Sequence, residues 1–243
     1  MDLNGRAALV TGAARRVGRA IAMALAEAGA DVAVHYNRSE DEARSLAEEI
    51  RAIGRRAEQF GADLADPERI GAMFEGVAAF FGRLDVLVNS AAVFGRTPIE
   101  TLTAEQWDAE LAVNARAPAL CIRHAVGLMK RTGGGAIVNI ADVAAEKGWA
   151  GYPAYCASKA ALLGLTRSAA GALAPYDIRV NAVAPGAIEW SEDQTDEQKA
   201  AVLEQIPFKR VGSPADVAAA VVFLCRSDYI TAQTLRVDGG WCM

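Results

Sequence analysis

Tyr155 and Lys159 are the residues whose type and spacing most directly suggest chemistry. They stand four apart near the start of a helical pattern, so their side chains share one face. A lysine ammonium beside a phenol favours the phenolate and lowers a pKa that is otherwise about 10. Tyr155 is therefore expected to donate a proton near neutral pH. By itself a Tyr-x-x-x-Lys pair is a common accident, and a plain surface pair has the same spacing. The neighbouring Cys156 is expected to be a packing residue.

A second group lies near the N-terminus. Thr11-Gly12-Ala13-Ala14-Arg15-Arg16-Val17-Gly18 follows an apolar run and leads straight into a helical pattern. Glycines and small residues let the backbone approach a pyrophosphate, and a helix N-terminus supplies free N–H groups and a positive dipole. A Gly-rich turn alone is weak evidence, but its placement between strand and helix strengthens it. At the end of the second strand an acid would hold a ribose 2′-hydroxyl. The chain instead reads His35-Tyr36-Asn37-Arg38-Ser39, with no acid before Glu40. Arg38 can pair bidentately with a 2′-phosphate and Ser39 can add a hydroxyl. NADPH is the expected cofactor; the plain alternative for Arg38 is a solvated loop residue.

These groups need elements to hold them, and the pattern supplies a β-α alternation. Expected strands are Ala7 to Thr11, Asp31 to Tyr36, Arg56 to Asp63, Leu84 to Asn89, Ala136 to Ala141, Arg179 to Ala184 and Leu235 to Asp238. Several are almost continuously apolar, as parallel strands covered on both faces must be. Ala43, Leu46, Ala47, Ile50 and Ile53 line one helical face, and Ile70, Met73, Phe74, Val77 and Phe81 another. Gly29 is placed for a helix C-cap, and Asp66-Pro67 and Ser213-Pro214 for helix starts. The expected fold is α/β: a single-domain, Rossmann-type doubly wound parallel sheet of about seven strands over residues 1–243, with helices on both faces. The rhythm breaks after Pro185-Gly186. The segment 187–210, helical from about Asp196 to Glu204, is where such a fold builds a substrate lid. Its acids Glu192, Asp193, Asp196 and Glu197 read as solvated surface.

Composition excludes other classes. Of 243 residues, 52% are hydrophobic and 23% charged, which suits one large globular domain. A formal charge of −5 argues against a non-specific nucleic-acid binder, which would show a basic face. No signal peptide is expected from the N-terminus, and the longest membrane-like run, Ala218 to Cys225, is far too short for a span. Cysteines at 121, 156, 225 and 242 form no Cys-x-x-Cys pair, and the two histidines are His35 and His124. No zinc site is expected. The simplest expectation is a reduced, cytoplasmic, metal-free protein.

Taken together, the residues resemble the short-chain dehydrogenase/reductase family over essentially the whole chain. The matching pieces are Thr11-Gly12…Gly18, Asp63-Leu64, Asn89-Ser90-Ala91, Asn114, Tyr155…Lys159, Pro185-Gly186 and Val237-Asp238-Gly239-Gly240. The resemblance implies cofactor contacts from Gly12, Arg15, Val17, Gly18, Tyr36, Asn37, Arg38, Ser39, Asp63, Leu64, Asn89 and Ala91, and from Pro185, Gly186 and Ile188 beside the nicotinamide. It implies that Asp63 meets the adenine edge, Asn89 supports the nucleotide pocket, and Asn114 anchors a water relay to Lys159. Lys159 also holds the nicotinamide ribose. A homotetramer is implied too.

Three departures from the family pattern point to a subgroup. Arg16 stands where the loop usually has its middle glycine, Ser90 and Ala92 replace an asparagine and a glycine, and Asp142 replaces the catalytic serine thirteen residues before Tyr155. All three resemble the pteridine reductases of this family, as do Phe94 and Gly151-Tyr152-Pro153-Ala154-Tyr155. That resemblance implies Arg16 on the substrate side and Phe94 stacking a flat pterin against the nicotinamide. Tyr152 and Trp190 read as further aromatic walls, with ordinary packing the plain alternative for each, and Asp142 as a carboxyl for the substrate's hydrogen-bonding edge. A physical argument runs the same way. A ketone acquires negative charge on oxygen as hydride arrives, which favours a hydroxyl donor and disfavours an ionised aspartate. A pterin is reduced across C=N, where nitrogen gains a proton and the amidine edge offers N–H donors. The expected activity is therefore reduction of a pterin or dihydropterin, dihydrofolate included, by hydride from NADPH. The alternatives are a carbonyl reductase, such as one acting on a 3-oxoacyl thioester, and a non-catalytic dinucleotide sensor. The plain reading of Asp142 is a turn cap beyond strand five.

Overall fold

The computed structural model describes residues 1–190 and 195–243 of the chain. Seven parallel strands form one sheet: β1 (Ala7–Val10), β2 (Asp31–Tyr36), β3 (Ala57–Gly61), β4 (Val86–Asn89), β5 (Gly135–Ile140), β6 (Ile178–Pro185) and β7 (Thr234–Val237). Their spatial order is β3-β2-β1-β4-β5-β6-β7. The order reverses direction at β1, so β1 and β4 pair side by side, Leu9 opposite Leu87. A crevice opens beyond the carboxyl ends of strands at such a switch point.

The strands are apolar throughout because both faces are covered. In β1, Ala8 and Val10 pack into one core while Ala7 and Leu9 pack into the other. The first core is closed by α1 (Arg16–Glu27), α2 (Glu40–Ala52) and α9 (Pro214–Arg226), through Ile21, Leu25, Leu46, Ile50, Val217 and Val221. The second is closed by α3 (Pro67–Phe81), α5 (Ala117–Arg131) and α7 (Pro153–Leu173). Its helical members include Ile70, Phe74, Val77, Cys121, Met129 and Ala170. Each fully buried Leu or Ile contributes about 1.5–3 kcal/mol of hydrophobic stabilisation.

Local signals set the helix ends. Asp66 Oδ1 accepts the Glu68 N–H at 2.8 Å, and Pro67 follows in the first turn of α3. Ser213 and Asp216 form a reciprocal capping box at the start of α9. Gly29, just past α1, has φ of +107°, and an added Cβ would come 2.9 Å from Asn4 Cα. One expectation needs correction. Ile53 does not join the buried face of α2: it lies past the helix end and is 48% exposed, where the chain turns at Gly54.

Two shorter helices flank the site. α4 (Ala104–Leu111) continues through a π-helical turn at Ala112–Arg116 into α5, and α6 (Ala144–Lys147) follows β5. α8 (Asp196–Gln205) lies in the expected lid segment and begins with a Thr195–Gln198 capping box. Glu192 and Asp193 lie outside the described residues. No helix among the described residues is long and apolar enough to cross a membrane.

Candidate active site

The turn after β1 is built by close backbone approach. Gly12 has φ of +64°, and a Cβ on Gly18 would come 2.1 Å from the Gly12 carbonyl oxygen. No side chain of that size fits there. The Thr11 hydroxyl accepts the Ser90 and Ala91 N–H groups at 2.9 and 3.1 Å, which ties the ends of β1 and β4 together. The N-terminus of α1 carries no side-chain cap and no acid in its first turn. Its N–H groups and dipole suit an anion. Arg15 pairs with Glu42. Arg16 holds φ of +50°, the left-handed conformation a glycine adopts freely, and reaches Glu189 at 3.4 Å.

His35 completes this turn and was not singled out by its sequence pattern. Its Nδ1 accepts the Gly12 N–H at 2.9 Å, and its Nε2 lies 3.0 Å from the Ala62 carbonyl. Those partners call for a neutral ring with the proton on Nε2. Burial agrees, lowering the pKa to about 4.

A cavity of about 480 Å³ opens beyond the strand ends. Gly12, Arg15, Arg16, Val17, Gly18, Asn37, Asp63, Leu64 and Ala91 line one end, with Asp142, Tyr155, Lys159, Pro185, Gly186 and Ile188 at the other. The expected site residues thus meet from distant parts of the chain. Tyr36, Arg38 and Ser39 do not line it; Arg38 is exposed on the turn next to Asn37. Asn89 also points elsewhere. Its Nδ2 donates to Asn139 Oδ1 at 2.8 Å, and Asn139 Nδ2 donates to the Thr166 hydroxyl at 2.9 Å. This buried chain fastens β4 and β5 to α7, so Asn89 supports the pocket from behind.

Tyr155 and Lys159 sit in the first two turns of α7, 6% and 2% exposed. The phenol donates to Asp142 Oδ2 at 2.8 Å, and Asp142 Oδ1 accepts the Ala144 N–H at 2.8 Å. Asp142 is therefore both a turn cap and a partner of the phenol. Lys159 Nζ donates to the Ile140 carbonyl at 2.8 Å and stands 5.6 Å from the Tyr155 ring centre. The expected lowering of the phenol's pKa is corrected here. Burial, then the charge and hydrogen bond of Asp142, hold Tyr155 well above 10. Burial also lowers Lys159 to about 8, against the opposing charges of Asp142 and Glu110. Burial raises Asp142, partly offset by the Ala144 and Tyr155 hydrogen bonds and the Lys159 charge.

Asn114 lies in the π-turn, 1% exposed. Its Oδ1 accepts the Val93 N–H at 2.9 Å and its Nδ2 donates to the Val93 carbonyl at 2.9 Å. Nδ2 also lies 2.8 Å from Glu110 Oε2 and 3.1 Å from the Ser158 hydroxyl. Glu110 was missed in the sequence, where it reads as an ordinary surface acid on a short helix.

An aromatic group covers Tyr155. Phe94 stacks on Tyr152 with centroids 4.6 Å apart and meets Tyr155 edge-on at 4.7 Å. Trp149 lies parallel to Tyr155 at 6.3 Å, and Trp241 lies 6.0 Å beyond it. These two tryptophans were not foreseen, because one follows a four-residue helix and the other sits at the extreme C-terminal end of the chain. Trp190 is half-buried and shares no ring contact with the group among the described residues. Cys156 Sγ accepts the Trp149 N–H at 3.3 Å, a packing role.

Comparison with known proteins identifies the family. A family model described as enoyl-(acyl carrier protein) reductase matches residues 12–242. The chain is 41% identical over 242 residues to a 3-oxoacyl-acyl-carrier-protein reductase of Staphylococcus aureus, covering 98% of each chain. Among solved structures, a blue fluorescent protein from a metagenomic library in complex with NADPH superposes with a TM-score of 0.94 at 38% identity, covering 100% of both chains. An angucycline C-6 ketoreductase with bound NADP gives 0.92 at 36% identity, covering 99% of this chain and 96% of the other. With its fold, its phosphate turn and its Tyr155–Lys159 pair in one crevice, the chain belongs to the short-chain dehydrogenase/reductase family of oxidoreductases.

Proposed function

We propose that this chain is an NADPH-dependent reductase of small carbonyl compounds, with Tyr155 as the proton donor. The observation that carries the reading is the meeting of Tyr155, Asp142 and Lys159 with the Gly12–Gly18 turn around one cavity. The residues fit a dinucleotide phosphate: the α1 N-terminus is uncapped, Asp63 and Asn37 line the far end, and Arg38 with Ser39 stands outside it for a 2′-phosphate. NADPH bound there supplies the hydride. Tyr155 delivers its O–H proton to the substrate oxygen as negative charge develops. Lys159, charged below about pH 8, stabilises the phenolate left behind and is the residue placed to hold a ribose. The Asn114 clamp on Val93 fixes the wall beside it.

Asp142 is compatible with this reading because it accepts the Tyr155 hydroxyl and so aims the proton donor; burial raises its pKa. The names of the relatives support a carbonyl substrate, a 3-oxoacyl thioester being the first to test. A second reading is reduction of a pterin-like C=N bond. It is favoured by the Asp142 carboxyl on Tyr155 and by the Phe94–Tyr152 stack at 4.6 Å, a flat wall for a ring. Arg16, which lines the cavity, belongs to the substrate side in either case, whereas Trp190 is not among the lining residues. We assign the protein to the cytoplasm as a homotetramer, acting on a small molecule with neither nucleic acid nor membrane as partner.

NADPH oxidation with a β-keto thioester, dihydrobiopterin and dihydrofolate tests the assignment. Turnover of the thioester alone is the expected result. Turnover confined to the dihydropterins replaces it with the second reading, and NADPH binding without turnover of any carbonyl or pterin panel leaves a dinucleotide sensor.

A further inference from the structure

Glu110 is the single buried residue of α4, 4% exposed on a helix whose other positions reach solvent. A helix end turned into a protein ordinarily presents an apolar side chain there, so a carboxyl at this point needs partners. It has two. Oε1 accepts the Gly95 N–H at 2.7 Å and Oε2 accepts from Asn114 Nδ2 at 2.8 Å. Gly95 leaves the room: a Cβ there would come 3.0 Å from Oε1. Asn114 in turn holds Val93 through both of that residue's backbone groups. One carboxyl therefore fastens both ends of the Val93–Gly95 segment, with Phe94 between them.

The same carboxyl faces the catalytic helix. Asn114 Nδ2 has two hydrogens for three acceptors: Val93 O, Glu110 Oε2 and the Ser158 hydroxyl, whose own proton goes to Tyr155 O at 2.7 Å. Ser158 precedes Lys159 directly. Around the Lys159 ammonium the charged and titratable groups are Asp142 from the end of β5, Glu110 from α4 and Tyr155 on α7 itself. Arg96, on the loop after Gly95, is exposed. Lys159 is wholly buried, with one carbonyl as its hydrogen-bond partner. An ammonium in that position stays charged only if negative groups oppose its desolvation.

We propose that Glu110 is a positioning residue of this active site: it orders the Val93–Gly95 wall through Gly95 and Asn114, and its carboxylate is the rear counter-charge of the Lys159 ammonium. Asp142 faces that ammonium from the substrate side and exchanges hydrogen bonds during turnover. Glu110 is screened from substrate and holds the charge steady. Burial nevertheless raises the pKa of Glu110, against the Gly95 and Asn114 hydrogen bonds and the Lys159 charge.

The counter-charge half stands on the chain's own groups; its effect on turnover rests on the reductase reading. The test therefore has an arm independent of activity. Lysine side chains labelled with carbon-13 are titrated by NMR in the parent and in Glu110→Gln, with Lys159→Arg to assign the resonance. The lysine titrating near 8 in the parent should titrate lower by about half a unit or more when the charge is removed. An unmoved Lys159 titration overturns the proposal. In the activity arm, the alkaline limb of kcat/KM should shift down with it in Glu110→Gln, while Glu110→Ala should also raise KM several-fold by freeing the 93–95 segment. A purely structural role would lower the melting temperature and leave the limb in place, which also overturns it. Should Glu110→Ala fail to fold, Glu110→Gln decides. Should the parent turn over no substrate, the reductase reading has failed and the lysine titration still decides the role of Glu110.

Discussion

Tyr155 gives its phenolic hydrogen to Asp142 at 2.8 Å. The proton expected to leave for substrate is thus held by a carboxyl until substrate takes its place. Asp142→Ser shortens that partner and removes its charge, which lets the Tyr155 pKa fall from its raised value. Loss of a charge-assisted hydrogen bond amounts to about 1.5–3 kcal/mol. If the natural substrate is a carbonyl, Asp142→Ser should keep or raise kcat/KM on a β-keto thioester. If it is a pterin, the same change should cut dihydropterin reduction by about ten- to a hundredfold. NADPH affinity, measured by fluorescence titration, should stay near the parent's in both cases.

Lys159 sets an alkaline limit on activity. Its ammonium is lost as pH rises through about 8, so kcat/KM should fall above that value. Stability runs the other way. The unfolded lysine titrates near 10.5 and the folded one near 8, so between those values the unfolded chain binds more protons. Stability from this group therefore rises with pH across that window. Below it the buried charge costs its full amount, roughly 3 kcal/mol. Lys159→Met should abolish turnover and yet raise the melting temperature at pH 7, less whatever Asp142 and Glu110 lose with their counter-charge. A melting temperature well below the parent's would contradict this account.

Cofactor choice should rest on Arg38. The second strand ends without an acid, and Arg38 stands exposed beside Asn37 at the cavity mouth. Arg38→Asp should weaken NADPH binding by about 1.5–3 kcal/mol and leave NADH binding equal or improved. Dissociation constants for both cofactors check it; an unchanged ratio would assign the phosphate to another residue, with Ser39 and Arg15 next in line.

Arg16 carries a strained backbone. At φ of +50° a residue with a Cβ is disfavoured by about 1–2 kcal/mol, and its exposed contact with Glu189 at 3.4 Å returns little of that. Arg16→Gly should raise the melting temperature. Substrate KM should rise at the same time if the guanidinium serves the substrate side. A stabilised variant with unchanged KM would confine Arg16 to the loop.

Much of this was legible in the sequence, for reasons that explain what was not. Strands buried on both faces are almost purely apolar, so β2 was placed to the residue and β1 missed by one at its end. Asp66-Pro67 and Ser213-Pro214 are local signals with local causes. The site residues share the crevice because the sheet order brings the strand ends together, and the motifs mark those ends. Apart from Ile53, misread where the chain turns at Gly54, the main failures are non-local. Leu84 and Asp85 were read into β4, yet Asp85 precedes the strand and is bound to Arg6, Arg83 and the Ala7 N–H. The His35–Gly12, Glu110–Gly95 and Trp149–Trp241 contacts join residues 15 to 92 positions apart. The sign of the Tyr155 pKa was misjudged because i,i+4 spacing brings a lysine near a phenol without fixing which group it bonds.

The π-turn at Ala112–Arg116 bears on how this lineage can drift. A π-turn holds one residue more than the helix around it needs, and each residue of an α-helix turns the next by about 100°. Because the wider turn absorbs that residue, losing one residue there would let it relax to regular helix and leave everything beyond it at nearly the same angle. Cys121, Ala125 and Met129 would keep their places in the core, and the exposed Arg123 and Lys130 theirs in water. What the extra residue sets is the aim of Asn114 at Val93. Descendants that have abandoned the chemistry should therefore be free to shed it and keep their fold.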